Sequence, residues 1–113
     1  MSTRGSDAEN LAAVFLQRAG LKIVARNYRC RFGEIDLIVR DGNTLVFVEV
    51  RMRTSDRYGG AAASITATKR AKLLRAARHY IADIARPPAC RFDALLVNGK
   101  DRSIEWLKNA FGA

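Results

Sequence analysis

Apolar positions along the chain follow two periods. Over 7–19 they recur at helical spacing, with Leu11, Val14 and Phe15 followed by Arg18 a turn later. Ser6 and Glu9 fit a capping box, in which each side chain satisfies a backbone N–H of the first turn, and Gly20 suits a C-cap. Residues 22–30 alternate loosely and predict a strand. The strongest strands are 34–40 and 44–52, rich in Ile, Val, Leu and Phe and separated by Asp41-Gly42-Asn43. Residues 54–63 contain Tyr58-Gly59-Gly60 and predict a loop. The helical period returns from Ser64 or Thr66 to Ala85. There Leu73, Leu74, Ala77, Tyr80, Ile81 and Ile84 share one arc, with Lys72, Arg75, Arg78 and His79 on the other. Pro87-Pro88 ends that helix, and strands follow at 92–97 and 103–107. The order α-β-β-β-α-β-β predicts one α/β domain over 1–113, a central mixed sheet flanked by helices.

The hairpin carries the first hint of chemistry. A two-residue loop, Gly42-Asn43, is a hairpin signal and pairs Asp41 with Thr44. Counting outward, Asp36 falls opposite Glu49 and Glu34 opposite Arg51. Directly opposed side chains have Cβ atoms roughly 4.5–5.5 Å apart, so two carboxylates meet on one face. Arg51 and Arg53 follow Glu49 at a period of two and share that face. Leu45–Val50 is hydrophobic apart from Glu49, which predicts a strand buried on both sides. An acid there needs a partner. A divalent cation shared by Asp36 and Glu49 is one answer, and Mg²⁺ is commonly held by one or two carboxylates. Salt bridges from Glu49 to Arg51 or Arg53, and from Glu34 to Arg51, are the other. Glu9 has a complete role as a cap, and joins the pair only if the first helix lays its N-terminus over the hairpin.

Charge narrows the partners. The chain of 113 residues holds 20 Lys+Arg against 11 Asp+Glu, a formal +9. Residues 51–78 carry Arg51, Arg53, Arg57, Lys69, Arg70, Lys72, Arg75 and Arg78 against Asp56 alone; residues 22–31 add Lys22, Arg26, Arg29 and Arg31 with no acid. Such blocks are the footprint of a polyanion, most often nucleic acid. The chain is too apolar for a disordered tail and has no apolar run near the ~20 residues of a membrane span. Acids near the N-terminus speak against an export signal, so the cytoplasm is expected. Cys30 and Cys90 lie far apart with one His in the chain, a pattern unlike structural zinc. They are expected as free thiols.

The strings Arg26-Asn27-Tyr28-Arg29-Cys30-Arg31-Phe32-Gly33-Glu34-Ile35-Asp36-Leu37-Ile38 and Val46-Phe47-Val48-Glu49-Val50-Arg51-Met52-Arg53 resemble the YraN family of uncharacterised bacterial proteins. The likeness runs from about Glu9 through Arg91-Phe92-Asp93. That family is placed by similarity in the restriction-endonuclease-like, PD-(D/E)xK, superfamily, near archaeal Holliday junction resolvases. The resemblance implies metal-dependent cleavage of phosphodiesters with Mg²⁺ or Mn²⁺. Asp36 takes the place of the first acid and Glu49 the second. Arg51 stands where Lys is usual, and Glu9 matches the helical acid of the resolvase-like branch. Ile35 replaces the usual Pro, as resolvase-like branches often do. The change at Arg51 matters more, because Arg can donate to a phosphate but cannot give up a proton near neutral pH.

The expected function is therefore a cytoplasmic endonuclease acting on DNA rather than RNA, with branched or structured DNA suggested by the resemblance. Asp36, Glu49, Arg51 and Glu9 form the expected catalytic set, with Asp36, Glu49 and Glu9 on the metal. Arg53, Arg57, Lys69, Lys72 and Arg75 are expected on the phosphate backbone, with Lys69 near enough the helix start to reach the site. His79 is expected in solvent, Tyr58 stacked on a base or packed in its loop, and Trp106 in the core. Resolvases work as dimers, which keeps a homodimer open, although no stripe in the sequence reads as an interface. Two rivals use the same charge: a non-catalytic nucleic-acid-binding module, with Arg51 marking lost chemistry, and an adaptor whose basic helix meets an acidic protein.

Overall fold

The computed structural model describes residues 4–53 and 65–110. Within them the element order is α1 (Arg4–Arg18), β1 (Lys22–Cys30), β2 (Gly33–Asp41), β3 (Thr44–Arg53), α2 (Ala67–Ile81), β4 (Cys90–Asn98) and β5 (Ile104–Leu107). This is the predicted α-β-β-β-α-β-β order. The strands form one mixed sheet in the order β1-β2-β3-β4-β5. Only β3 and β4 run parallel, joined through α2; the other neighbours are antiparallel. No helix among the described residues is long and apolar enough to cross a membrane.

Each face of the sheet is covered by one helix. On the α1 side Ala12, Ala13 and Leu16 pack with Leu37, Val39, Val46, Val48 and Leu95. On the α2 side Leu73, Ala76 and Ala77 pack with Ile35, Ile38, Phe47 and Phe92. Burying each large apolar side chain is worth roughly 1.5–3 kcal/mol. β3 lies at the centre, and Leu45 through Glu49 are all buried, as expected for a strand covered on both sides.

Two local expectations are corrected. First, α1 begins at Arg4, so Ser6 lies inside the helix and Glu9 is not the third residue of a capping box. Its buried stripe is Ala8, Ala12, Ala13 and Leu16, while Val14 is 45% exposed. Second, α2 stops at Ile81 rather than Ala85. Asp83 would place a negative charge at the negative end of the helix dipole, and the Ile84 N–H turns back to the Ile81 carbonyl. His79 is exposed, as expected; its Nδ1 lies 2.6 Å from the Tyr28 hydroxyl, and its ring meets Phe32 edge-on.

The turn chemistry holds. Gly20 closes α1 at φ +95, and the Leu21 N–H reaches the Leu16 carbonyl. Gly42 supplies the left-handed residue of the hairpin at φ +59. Thr66 caps α2, its hydroxyl accepting the Lys69 backbone N–H at 3.1 Å. Cys30 and Cys90 are free thiols.

Candidate active site

The hairpin register is the one the two-residue loop predicts. It runs Asp41↔Thr44, Arg40↔Leu45, Val39↔Val46, Ile38↔Phe47 and Leu37↔Val48. There the recorded pairing of β2 and β3 ends. β2 goes on with β1 to Gly33, while β3 goes on with β4 to Arg53. Asp36 and Glu49 are the next residues on the two strands, so they stand where the sheet forks. Asp36 caps the fork, its Oδ2 accepting the Val50 backbone N–H at 2.8 Å. The expected pairing of Glu34 with Arg51 does not occur. Beyond the fork Glu34 belongs to β1's partner strand, and its carboxylate pairs with Arg29 at 3.0 Å.

Alternation breaks beside Asp36. Leu37 packs on the α1 side, so strict alternation would put Ile35 there too; Ile35 packs under α2 instead. The neighbouring strand breaks at the same level, since Ala25 and Tyr28 both lie against the α2-side core. The recorded ladder passes from Arg26↔Leu37 to Tyr28↔Ile35, skipping Asn27 and Asp36. Asn27 has φ +53, a left-handed conformation that Asn tolerates better than most residues.

Glu49 is 3% exposed. Its carboxyl is pushed up to about 7, first by burial, then by the charge of Asp36 and a carboxyl–carboxyl hydrogen bond with it. Lys69 and Arg51 pull the other way. Lys69 Nζ lies 3.4 Å from Glu49 Oε2. Arg51 Nε lies 3.1 Å from the same oxygen. That contact is close enough for an ion pair but is not aligned as a hydrogen bond. The buried Arg51 Nε has no hydrogen-bond partner among the described residues.

Glu9 projects from α1 toward Asn27 of β1. Its pKa is raised by partial burial and by the charge of Asp36, while a hydrogen bond with Asn27 and the charge of Arg26 lower it. Among the described residues no three His, Cys, Asp or Glu side chains assemble into a metal-holding group. Glu9 lies within the field of Asp36.

Lys69, expected on the phosphate backbone, is in the site itself. Lys72 and Arg75 are exposed on α2. Arg53 closes β3 opposite Asn98, and Arg57 and Tyr58 lie outside the described residues. Sequence reasoning missed Asn27, whose only trace was the loose alternation of 22–30. It also passed over Asp93, a lone acid in a hydrophobic strand, the signal that singled out Glu49.

These observations define a class: an α/β domain with a five-stranded mixed sheet, two covering helices and a carboxylate pair at a fork between central strands. The sequence profile of the uncharacterised protein family UPF0102 matches residues 8–97. The chain belongs to that family. It is 62% identical over 109 residues to a UPF0102 protein of Nitrosomonas europaea, covering 96% of this chain and 92% of that one. A UPF0102 protein of Nitrosospira multiformis is 58% identical with the same coverage. One from Methylobacillus flagellatus is 54% identical over the whole of both chains.

Proposed function

We propose that this chain is a metal-dependent endonuclease of the restriction-endonuclease-like kind, hydrolysing phosphodiester bonds in DNA, with branched or structured DNA as its preferred substrate. The observation that carries the proposal is the meeting of Asp36 and Glu49 at the fork, where burial and mutual repulsion hold Glu49 near 7. Two crowded carboxylates are a hard oxygen donor pair. They suit Mg²⁺ or Mn²⁺, which take one or two carboxylates and leave the remaining positions to water and substrate oxygens. A cation also relieves the repulsion that raises Glu49. The buried Nε of Arg51, beside the same carboxylate, has no hydrogen-bond partner among the described residues, as suits a polar site that takes a further group.

Asp36 and Glu49 would hold the ion, with Glu9 as the adjoining acid. When bound, it supplies Lewis-acid stabilisation of phosphate and a more acidic water. The chain's residues provide the frame. Val50 N–H fixes the Asp36 carboxylate, and the central strand fixes Glu49. Arg51 and Lys69 bring positive charge up to Glu49. The exposed Lys72 and Arg75, with Arg53 and Arg57 by their place in the basic block, would grip the backbone of the nucleic acid through salt-sensitive contacts. Such an enzyme acts in the cytoplasm, and a homodimer would let it engage both sides of a junction.

The test is cleavage of junction, flap, single-stranded and duplex DNA with Mn²⁺. Cutting of at least one substrate is expected, lost in Asp36→Ala and Glu49→Ala. No cutting, or equal cutting by both variants, ends the enzyme proposal. Arg51 in the usual Lys place favours a second reading, a non-catalytic binding module on the same fold. It predicts tight, salt-sensitive binding indifferent to metal, and Mn²⁺ binding abolished by Asp36→Ala would exclude it.

A further inference from the structure

Two cations reach Glu49 from different elements, and they are not equivalent. Arg51 lies two residues along the same strand. Its Nε is 3.1 Å from Glu49 Oε2, yet that N–H is buried without an aligned partner among the described residues. Its Nε end is turned to Glu49, although the side chain as a whole stays 31% exposed. Lys69 arrives from α2. It is the third residue of that helix, and its backbone N–H is held by the Thr66 cap, so the side chain leaves a fixed point. Its Nζ reaches to 3.4 Å from Glu49 Oε2 while the side chain stays 34% exposed. An ammonium carries three N–H donors around a compact charge, and one carboxylate oxygen engages one of them.

We propose that Lys69, not Arg51, is the cation that meets the scissile phosphate in this site, an assignment that rests on the nuclease proposal above. In the hydrolysis, water oxygen adds to phosphorus and one P–O ester bond breaks, its electron pair staying on the departing oxygen. One water proton ends on that oxygen and the other on the new phosphomonoester. Negative charge builds on the non-bridging oxygens between these events. A donor already in place is worth most at that moment. Lys69 provides it as a hydrogen-bond donor and keeps its own proton throughout. Arg51 is a positioning residue that holds the Glu49 carboxylate. An arginine where a lysine is usual then costs no chemistry, because the ammonium enters from the helix.

The test uses the full chain, with Mn²⁺-dependent cleavage read beside Mn²⁺ binding by calorimetry in the absence of DNA. Lys69→Ala and Lys69→Met are expected to slow cleavage roughly 10²–10³-fold, the usual loss for one fixed donor at developing charge. Both should bind Mn²⁺ about fivefold tighter, because a like charge has left the carboxylate pair. Lys69→Arg should recover part of the rate. Cleavage at the wild-type rate in Lys69→Met overturns the assignment. So does joint loss of cleavage and Mn²⁺ binding, which would make Lys69 a support for Glu49. The nuclease proposal fails in a different pattern, with wild-type protein cutting nothing and this assignment falling with it. If wild type cuts, Glu49→Ala does not and Lys69→Met does, only the role of Lys69 is lost.

Discussion

Asp93 and Glu49 sit on adjacent parallel strands, each nearly sealed from solvent, and they have different surroundings. Asp93 is surrounded by donors. Arg91 Nε approaches at 3.0 Å, Trp106 Nε1 at 2.9 Å and the Asn109 backbone N–H at 2.9 Å. Arg91 in turn reaches Asp41, and these acids raise its own pKa. Glu49 instead faces a second acid, an arginine whose buried N–H is misaligned and a lysine from another element. Burial of an acid in a sheet is thus no functional signal in itself. What separates the two is whether the protein alone satisfies the group. Asp93 ties the Trp106 and Asn109 donors to the sheet; Glu49 is crowded by a second carboxylate, a strain that the proposed cation would relieve.

Mutation should divide the pair by sign. Asp93→Ala strands Arg91, Trp106 and Asn109 donors and is expected to cost about 3–5 kcal/mol of stability, as for a broken buried charge network; urea unfolding measures it. Glu49→Gln should go the other way, raising stability by roughly 1–3 kcal/mol above pH 7, since each unit of pKa displacement corresponds to about 1.4 kcal/mol. If both variants lose stability equally, the contrast collapses.

The pH profile sharpens the same point. The Glu49 carboxyl titrates near 7 in the folded chain against an ordinary value of 4.5. Between those values the folded state holds a proton that the unfolded chain has released. Its contribution to stability is therefore greatest below about 4.5, falls as pH rises and is lost above about 7. Wild type minus Glu49→Gln, followed by unfolding from pH 5 to 8, should show that decline, and a flat difference contradicts it. The smallest effects lie at the rim. Tyr28→Phe removes the contact with His79 at a cost of about 1 kcal/mol or less. Arg29→Ala breaks an exposed ion pair with Glu34, worth at most about 1 kcal/mol.

The sequence made some of this visible and hid the rest for definite reasons. Gly42-Asn43 set the hairpin register, and from it the convergence of Asp36 and Glu49 followed by counting. The lone acid in Leu45–Val50 marked a buried charge. The end of the ladder could not be counted, because it depends on β2 and β3 choosing different partners beyond Leu37 and Val48. Nor could the double break at Asn27 and Asp36, where two strands lose alternation together. Glu9 looked complete as a cap until α1 proved to start earlier. The helical pattern gave the basic arc of α2, but the placement of Lys69 against Glu49 depends on how α2 docks, which no local spacing encodes.

The most direct measurement is calorimetric titration of Mn²⁺ into wild-type protein, Asp36→Ala and Glu49→Ala, without nucleic acid. Two carboxylates converging on a common cation predict binding by wild type that disappears in both variants while they remain folded. Absence of binding by wild type, or equal binding by all three proteins, would contradict it.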